Sequence, residues 1–438
     1  KNEYDAGSSR NTPNDFYQNL GDATTSVGRY IVGYNNAWNW MNYYLHADYT
    51  FANLVKVGAN VSMDGASSTG KDATRMGVFP SANVVLMAKN LKFLQDVDVV
   101  NNLDVYADYG LTGNSQYSSK LGKYYYISRP YQGISGLVRA NVPNTKLEWE
   151  KNLNLSVGMN AALLYNRLNL GVKYFNTQST DVLMISPKSS AFGSASYYSN
   201  DGEIDSKGFE ASVSATPIKT RDFAWTIGGS ISKYTNEVKS LGKVSETITT
   251  LGDDAEIITR VGENPYSFYG YKALGVFATS EEAETAHKGI ANLVNKNGVP
   301  YQAGDVHYLD VNEDGIINDK DKQVIGSATP DFYGSFFNHL EYKGFALDLT
   351  FVYSVGNDAY NAVRRVTESA SDFSNQSKAV IRRWNMEGQI TDMPRAQWND
   401  VVGNNDFSDR WIEDGSYIRL KDVTLSYKVP VSASWLQG

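Results

Sequence analysis

Two uninterrupted runs of alternating apolar and polar residues constrain this chain more than any other feature. Leu153, Leu155, Val157 and Met159 interleave with Asn154, Ser156, Gly158 and Asn160. After a turn at Tyr165-Asn166-Arg167, Leu168, Leu170, Val172 and Tyr174 interleave with Asn169, Gly171 and Lys173. A period of two places each set on opposite faces of a strand. The segment therefore reads as a long hairpin with one apolar and one polar face.

The pattern recurs. Phe209, Ala211, Val213 and Ala215 alternate with Glu210, Ser212, Ser214 and Thr216, and Phe223, Trp225, Ile227 and Ile231 follow a turn near Pro217–Arg221. Tyr342-Lys343-Gly344 reads as a turn before Phe345, Leu347, Leu349, Phe351 and Tyr353. Tyr43–Phe51 with Asn53–Met63, Val99–Gly110 and Tyr417–Val429 supply further strands. In the last of these the apolar parity changes, from Ile418 and Leu420 to Val423 and Leu425. A one-residue slip flips every side chain, so a bulge is predicted near Lys421-Asp422.

Strands of about ten or more residues are long for soluble sheets, where about 5–6 is usual. A soluble β-sandwich remains the alternative on pattern alone. The polar face carries charge and amides rather than a second core, which favours a transmembrane antiparallel β-barrel with long extracellular loops. Composition agrees. Aromatics make up 13%, with 30 tyrosines among 438 residues, and such rings suit both pleated surfaces and membrane interfaces. No apolar stretch reaches the ~18 residues of a membrane helix, but barrel strands carry only a weak hydropathy signal. The net charge of −8 argues against nucleic acid as a partner. Cysteine is absent, which excludes a thiolate metal site or nucleophile. No signal peptide is recognisable at Lys1, and the numbering is read as starting inside a processed or fragmentary chain.

The expected organisation is a loop or strand region over 1–37, barrel strands with loops over 38–234, a long extracellular loop over 235–331, a barrel hairpin over 332–356, a second long loop over 357–415 and a barrel strand over 416–438. Helices are predicted at Glu281–Val294, with Thr279 and Glu282 spaced as a capping box, and at Asn375–Asn385.

The sharpest chemical motif lies in the first long loop. Asp310, Asn312 and Asp314 stand at positions 1, 3 and 5 of an EF-hand-type loop, with Gly315 at the sixth position, where the chain must turn. The backbone carbonyl of Ile316, with Asn318 and Asp321, completes a candidate Ca2+ site. Asp321 stands where glutamate is usual, and its shorter reach implies a looser site. The role expected is a structural clip on the loop. Gly65–Asp72 resembles a phosphate-binding loop, but Asp72 replaces the metal-binding hydroxyl and no helix pattern follows, so it reads as a flexible polar loop. No histidine pair, nucleophile elbow or carboxylate pair forms a catalytic constellation, and the chain reads as a non-enzyme.

Several segments resemble the SusC-like (SusC/RagA) family of TonB-dependent outer-membrane transporters. Asp64-Gly65-Ala66-Ser67-Ser68, Phe79-Pro80-Ser81, Tyr109–Asn114, Leu147–Glu150, Gly202–Glu210, Gly304–Gly326 and Arg410–Lys421 are similar to family motifs and occur in the family's order. The resemblance spans about residues 40 to 430. It implies part of a large, 22-stranded barrel in the outer membrane of Bacteroidota, in contact with outer-membrane lipids. It further implies a SusD-like surface lipoprotein lid and uptake of an oligosaccharide or peptide, driven by TonB-ExbB-ExbD through a missing N-terminal part. Tyr124, Tyr125, Tyr126 and Tyr131 are the candidate substrate contacts. The alternative is a SusC-like barrel that serves as a structural subunit without transport. Plug pattern, TonB box and closing strands are not recognisable, so the chain is expected to be a portion of the barrel.

Overall fold

The computed structural model describes residues 2–9, 29–36, 38–115, 121–124, 126–131, 134–139, 141–187, 196–289 and 291–429. Its main feature is one 11-stranded sheet. The strands are β1 (Trp40–Phe51), β2 (Val55–Ala66), β3 (Met76–Met87), β4 (Val100–Asn114), β5 (Glu150–Leu163), β6 (Leu168–Pro187), β7 (Ser196–Lys219), β8 (Phe223–Leu241), β9 (Phe332–Tyr342), β10 (Phe345–Val355) and β11 (Tyr417–Tyr427). Each pairs antiparallel with the next in the chain. This is the meander of an up-and-down barrel wall. Asn2–Ser9 and Arg29–Asn36 form a separate antiparallel pair.

Register across the sheet separates the two faces. One row runs Val105, Met159, Val172, Ala211, Ile231, Gly334, Tyr353, Ile418. The adjacent row, on the opposite face, runs Asp104, Asn160, Gly171, Ser212, Ser230, Ser335, Val352, Arg419. The first row belongs in lipid and the second in water, as in an outer-membrane barrel. Among the described residues no helix is long and apolar enough to cross a membrane, and crossing is the work of the strands.

The two ends of the strands differ. At one end the connections are 52–54, 88–99, 164–167, 220–222 and 343–344; at the other they are 67–75, 115–149, 188–195, 242–331 and 356–416. The tightest turn, Lys343-Gly344, has φ +46° and +88°, the positive pair that a two-residue hairpin requires. Phe51, Tyr165, Tyr342, Phe345 and Tyr427 are exposed beside this short-turn end, where an aromatic girdle would meet the membrane interface. The bulge predicted near Lys421-Asp422 is present: Thr350 faces Asp422 while Phe351 faces Leu420.

Toward the long-loop end, β6, β7 and β8 run for 20, 24 and 19 residues. A membrane crossing needs only about 9–11. Their distal parts are polar on the outer face too, with Gln178 opposite Asp205 and Asp205 opposite Glu237. These strands therefore project beyond the bilayer.

The two longest connections fold against each other into a clasp. Its core joins Tyr271, Phe277, Leu293, Tyr301, Val306, Tyr308 and Ile317 from one loop to Val402 from the other. A second cluster packs Ala255 and Phe268 against Phe407. The predicted helix Glu281–Val294 is confined to Ser280–Glu284. Thr279 does cap it, accepting from the Glu282 N–H, but the chain then turns at Gly289 (φ +74°) to deliver Leu293 to the core. The predicted helix Asn375–Asn385 is a 3-10 segment, Lys378–Arg382. The loop read as flexible is pinned: Gly70 and Asp72 donate N–H groups to the carbonyls of Leu147 and Thr145, and Ser68 and Thr69 are buried.

Candidate functional site

The motif residues of the first long loop do form a tight acidic turn. Gly315 takes φ +81°, the left-handed conformation its position in the motif requires. The Asp310 carboxylate accepts from the N–H groups of Gly315 at 2.7 Å and Asp314 at 3.3 Å. Asp314 accepts from the Ile316 N–H at 2.9 Å, which holds its carboxyl below the usual range. Its other oxygen accepts from the Asn312 amide at 2.9 Å. Asp321 is fully buried and accepts from the N–H groups of Val311 and Asn318, at 2.9 and 2.8 Å. The Ile316 carbonyl accepts from the Asn318 amide.

The loop thus carries the oxygen donors that a hard cation prefers, and its backbone N–H groups hold the carboxylates in place. Among the described residues, no three or more His, Asp or Glu side chains are gathered closely enough to hold a metal ion. The donor chemistry fits calcium, but cation binding would need the carboxylates to swing from backbone donors toward a common centre.

The candidate substrate tyrosines are less well defined. Tyr124 and Tyr126 are exposed, and the Arg139 guanidinium lies 5.5 Å from the Tyr124 ring centre. Tyr131 pairs with Ile134 through the backbone. Tyr125 lies outside the described residues, as does the side chain of Tyr131.

Two features were not read from the sequence. The first is the junction of the clasp. Asp305 is fully buried and receives a two-point contact from Arg395, at 2.7 and 3.0 Å, plus the Asn404 amide at 2.9 Å. Nearby, burial and the Asp400 carboxylate push Asp406 up to about 6. The second is a cavity of about 520 Å³ on the polar face near the long-loop end, walled by β5 to β8 and the 265–266 and 328–329 turns. Parity could have placed Asn152, Ser179, Ser206 and Asn236 on one face, but not beside Tyr266.

The model of the family described as TonB dependent receptor-like, beta-barrel matches residues 2–436. TonB-dependent receptor P3 of Formosa agariphila is 29% identical over 428 residues, covering 95% of this chain and 41% of that protein. TonB-dependent receptor SusC of Bacteroides thetaiotaomicron is 23% identical over 400 residues, covering 88% and 37%. The structure of the RagAB peptide transporter superposes with a TM-score of 0.76 at 21% identity, covering 94% of this chain and 44% of that one. The chain spans about two fifths of the length of the curated relatives it matches.

Proposed function

We infer the function from one premise: this chain belongs to the TonB dependent receptor-like β-barrel family, and it is a protein of the bacterial outer membrane. It forms part of the wall and outer mouth of a SusC-like importer that carries an oligosaccharide or peptide inward. The observation that carries this reading is the pairing of opposite rows, Val172-Ala211-Ile231 on one face and Gly171-Ser212-Ser230 on the other. Such a wall lines a wet passage through lipid. The free edges of β1 and β11 have no strand partner among the described residues, and open edges in hydrocarbon are prohibitive. Further strands complete the wall in the whole protein.

A SusD-like lipoprotein would cover the mouth beside the clasp, and TonB-ExbB-ExbD would act through parts beyond this wall. Deleting the parent gene tests the importer reading. Loss of growth on one polymeric nutrient, with a lipoprotein co-purifying from native outer membranes, supports it. Normal growth on every nutrient with an unchanged, stable outer-membrane complex favours the structural-subunit alternative.

Calcium at Asp310, Asn312, Asp314, Ile316, Asn318 and Asp321 is a second proposal, resting on donor type and spacing. Its role would be to stiffen the turn that feeds Ile317 into the clasp core. Metal analysis of the purified protein tests it: one calcium lost on Asp314→Ala is expected, and identical metal content in the variant overturns it.

A further inference from the structure

We propose that the cavity of about 520 Å³ on the polar face is a subsite for a neutral oligosaccharide, with Tyr266 as its stacking platform. The inference rests on the importer reading above. The volume lies within the ~300–1,000 Å³ typical of small-ligand sites.

Tyr266 is the first reason. It is 64% exposed yet holds φ +59°, a conformation that bulky side chains rarely adopt. Strain of this kind persists only where the surroundings impose it, and it concentrates at ligand sites. Here the surroundings are explicit. The Tyr266 N–H donates to Thr259 Oγ1. The Asn264 amide donates to both Ser327 and Thr329. Gly262 N–H donates to the Val238 carbonyl of β8, and Val238 N–H to the Glu263 carbonyl. The turn is bolted to the wall, and it presents an aromatic ring at the cavity.

The wall below is the second reason. Ser179 donates to Asn152 Oδ1 at 2.6 Å and Ser206 to Asn236 Oδ1 at 2.8 Å. Each serine fixes an amide by its oxygen, which leaves the amide N–H groups available to an incoming acceptor. Tyr234, also at the cavity, is braced edge-on by Tyr333 with centroids 6.0 Å apart. Among the lining residues Glu150 is the one carboxylic acid, with no lysine, arginine or histidine beside it, and it is already engaged by the Asn114 amide and the Leu183 N–H. A site with rings, amide donors and no free charge suits the C–H face and hydroxyl oxygens of a neutral sugar. A peptide would bring termini and charged side chains that nothing here answers.

The test uses the full-length protein, purified in detergent, with maltohexaose, cellohexaose, xylohexaose and laminarihexaose titrated by calorimetry and, as the peptide probe, a hexapeptide with free termini and one lysine and one glutamate among alanines. At least one hexasaccharide should bind. Tyr266→Ala and Asn236→Ala should each weaken it tenfold or more, while Tyr266→Phe keeps most of the affinity. Circular dichroism and heat-modifiable gel migration confirm that each variant is folded. Should Tyr266→Ala misfold, Asn152→Ala with Asn236→Ala carries the same expectation. Unchanged affinity in folded variants, no hexasaccharide binding, or binding of the peptide alone overturns the proposal. Cell uptake separates the two readings: import that persists in Tyr266→Ala sinks the subsite alone, whereas a wild type that imports nothing sinks the importer reading.

Discussion

The strand wall and the extracellular clasp place their apolar residues on opposite sides. In the wall, the outward Val172, Val213 and Val157 of interior strands are 48%, 46% and 44% exposed, while in the clasp Trp411, Tyr301 and Tyr308 are essentially buried. The same residue types meet different solvents. Lipid accepts the wall's apolar row, so the wall needs no core of its own and its backbone is satisfied strand to strand. The clasp stands in water and must bury its rings, so it builds a small globular core from two loops distant in the chain. One sequence thus carries two folding logics, and each can be broken separately.

The largest expected effect is at the clasp junction. Arg395→Ala strands the buried Asp305 carboxylate without its partner, which costs about 3–5 kcal/mol. The two long loops should part, seen as rapid proteolysis within 356–416 while the wall stays protease-resistant. Equal loss in both regions would mean that they fold as one unit.

Next comes the wall. Val172→Lys or Ile231→Lys places a charge in lipid, at about 2–4 kcal/mol near the midplane. Ser212→Lys, one row away on the wet face, should cost little. The yield of folded barrel in outer membranes measures the contrast, and similar yields would dissolve the distinction between the rows.

A smaller effect depends on pH. Asp406 titrates near 6 in the folded clasp, above its ordinary value of 3.8 in an unfolded loop. The unfolded loop therefore releases its proton first as pH rises. The protonated carboxyl contributes stability that is complete below about pH 4 and lost as pH climbs through 6. The clasp should resist proteolysis better at pH 5 than at pH 7, and Asp406→Asn should flatten that difference while leaving the wall unaffected.

Much of the wall was legible in the sequence because its rule is local. Period two gave the faces of β5 to β8, and the parity change at Ile418–Val423 gave the bulge at Lys421. The clasp was not legible because its contacts are remote: Arg395 and Asp305 are 90 positions apart, and no local period links them. The helix expected over Glu281–Val294 shortened for the same reason, since burying Leu293 and Ala283 in one core demanded a turn between them. The reach of β6 to β8 beyond the bilayer was missed because polar residues on both faces look like loop. For the candidate site, the acidic turn was found through its spacing. Tyr266 was not, because one exposed tyrosine among 30 carries no signal until its backbone conformation and its neighbours are known.

Adjacent residues along each wall strand face different solvents. The chain has no cysteine, so single substitutions supply clean labels. In native outer membranes carrying the full-length protein, Ser212→Cys, Ser230→Cys and Ser335→Cys should react with a membrane-impermeant maleimide, while Ala211→Cys, Ile231→Cys and Phe336→Cys should not. Reversed or uniform labelling across the two rows would contradict a wall with one face in lipid and the other in water.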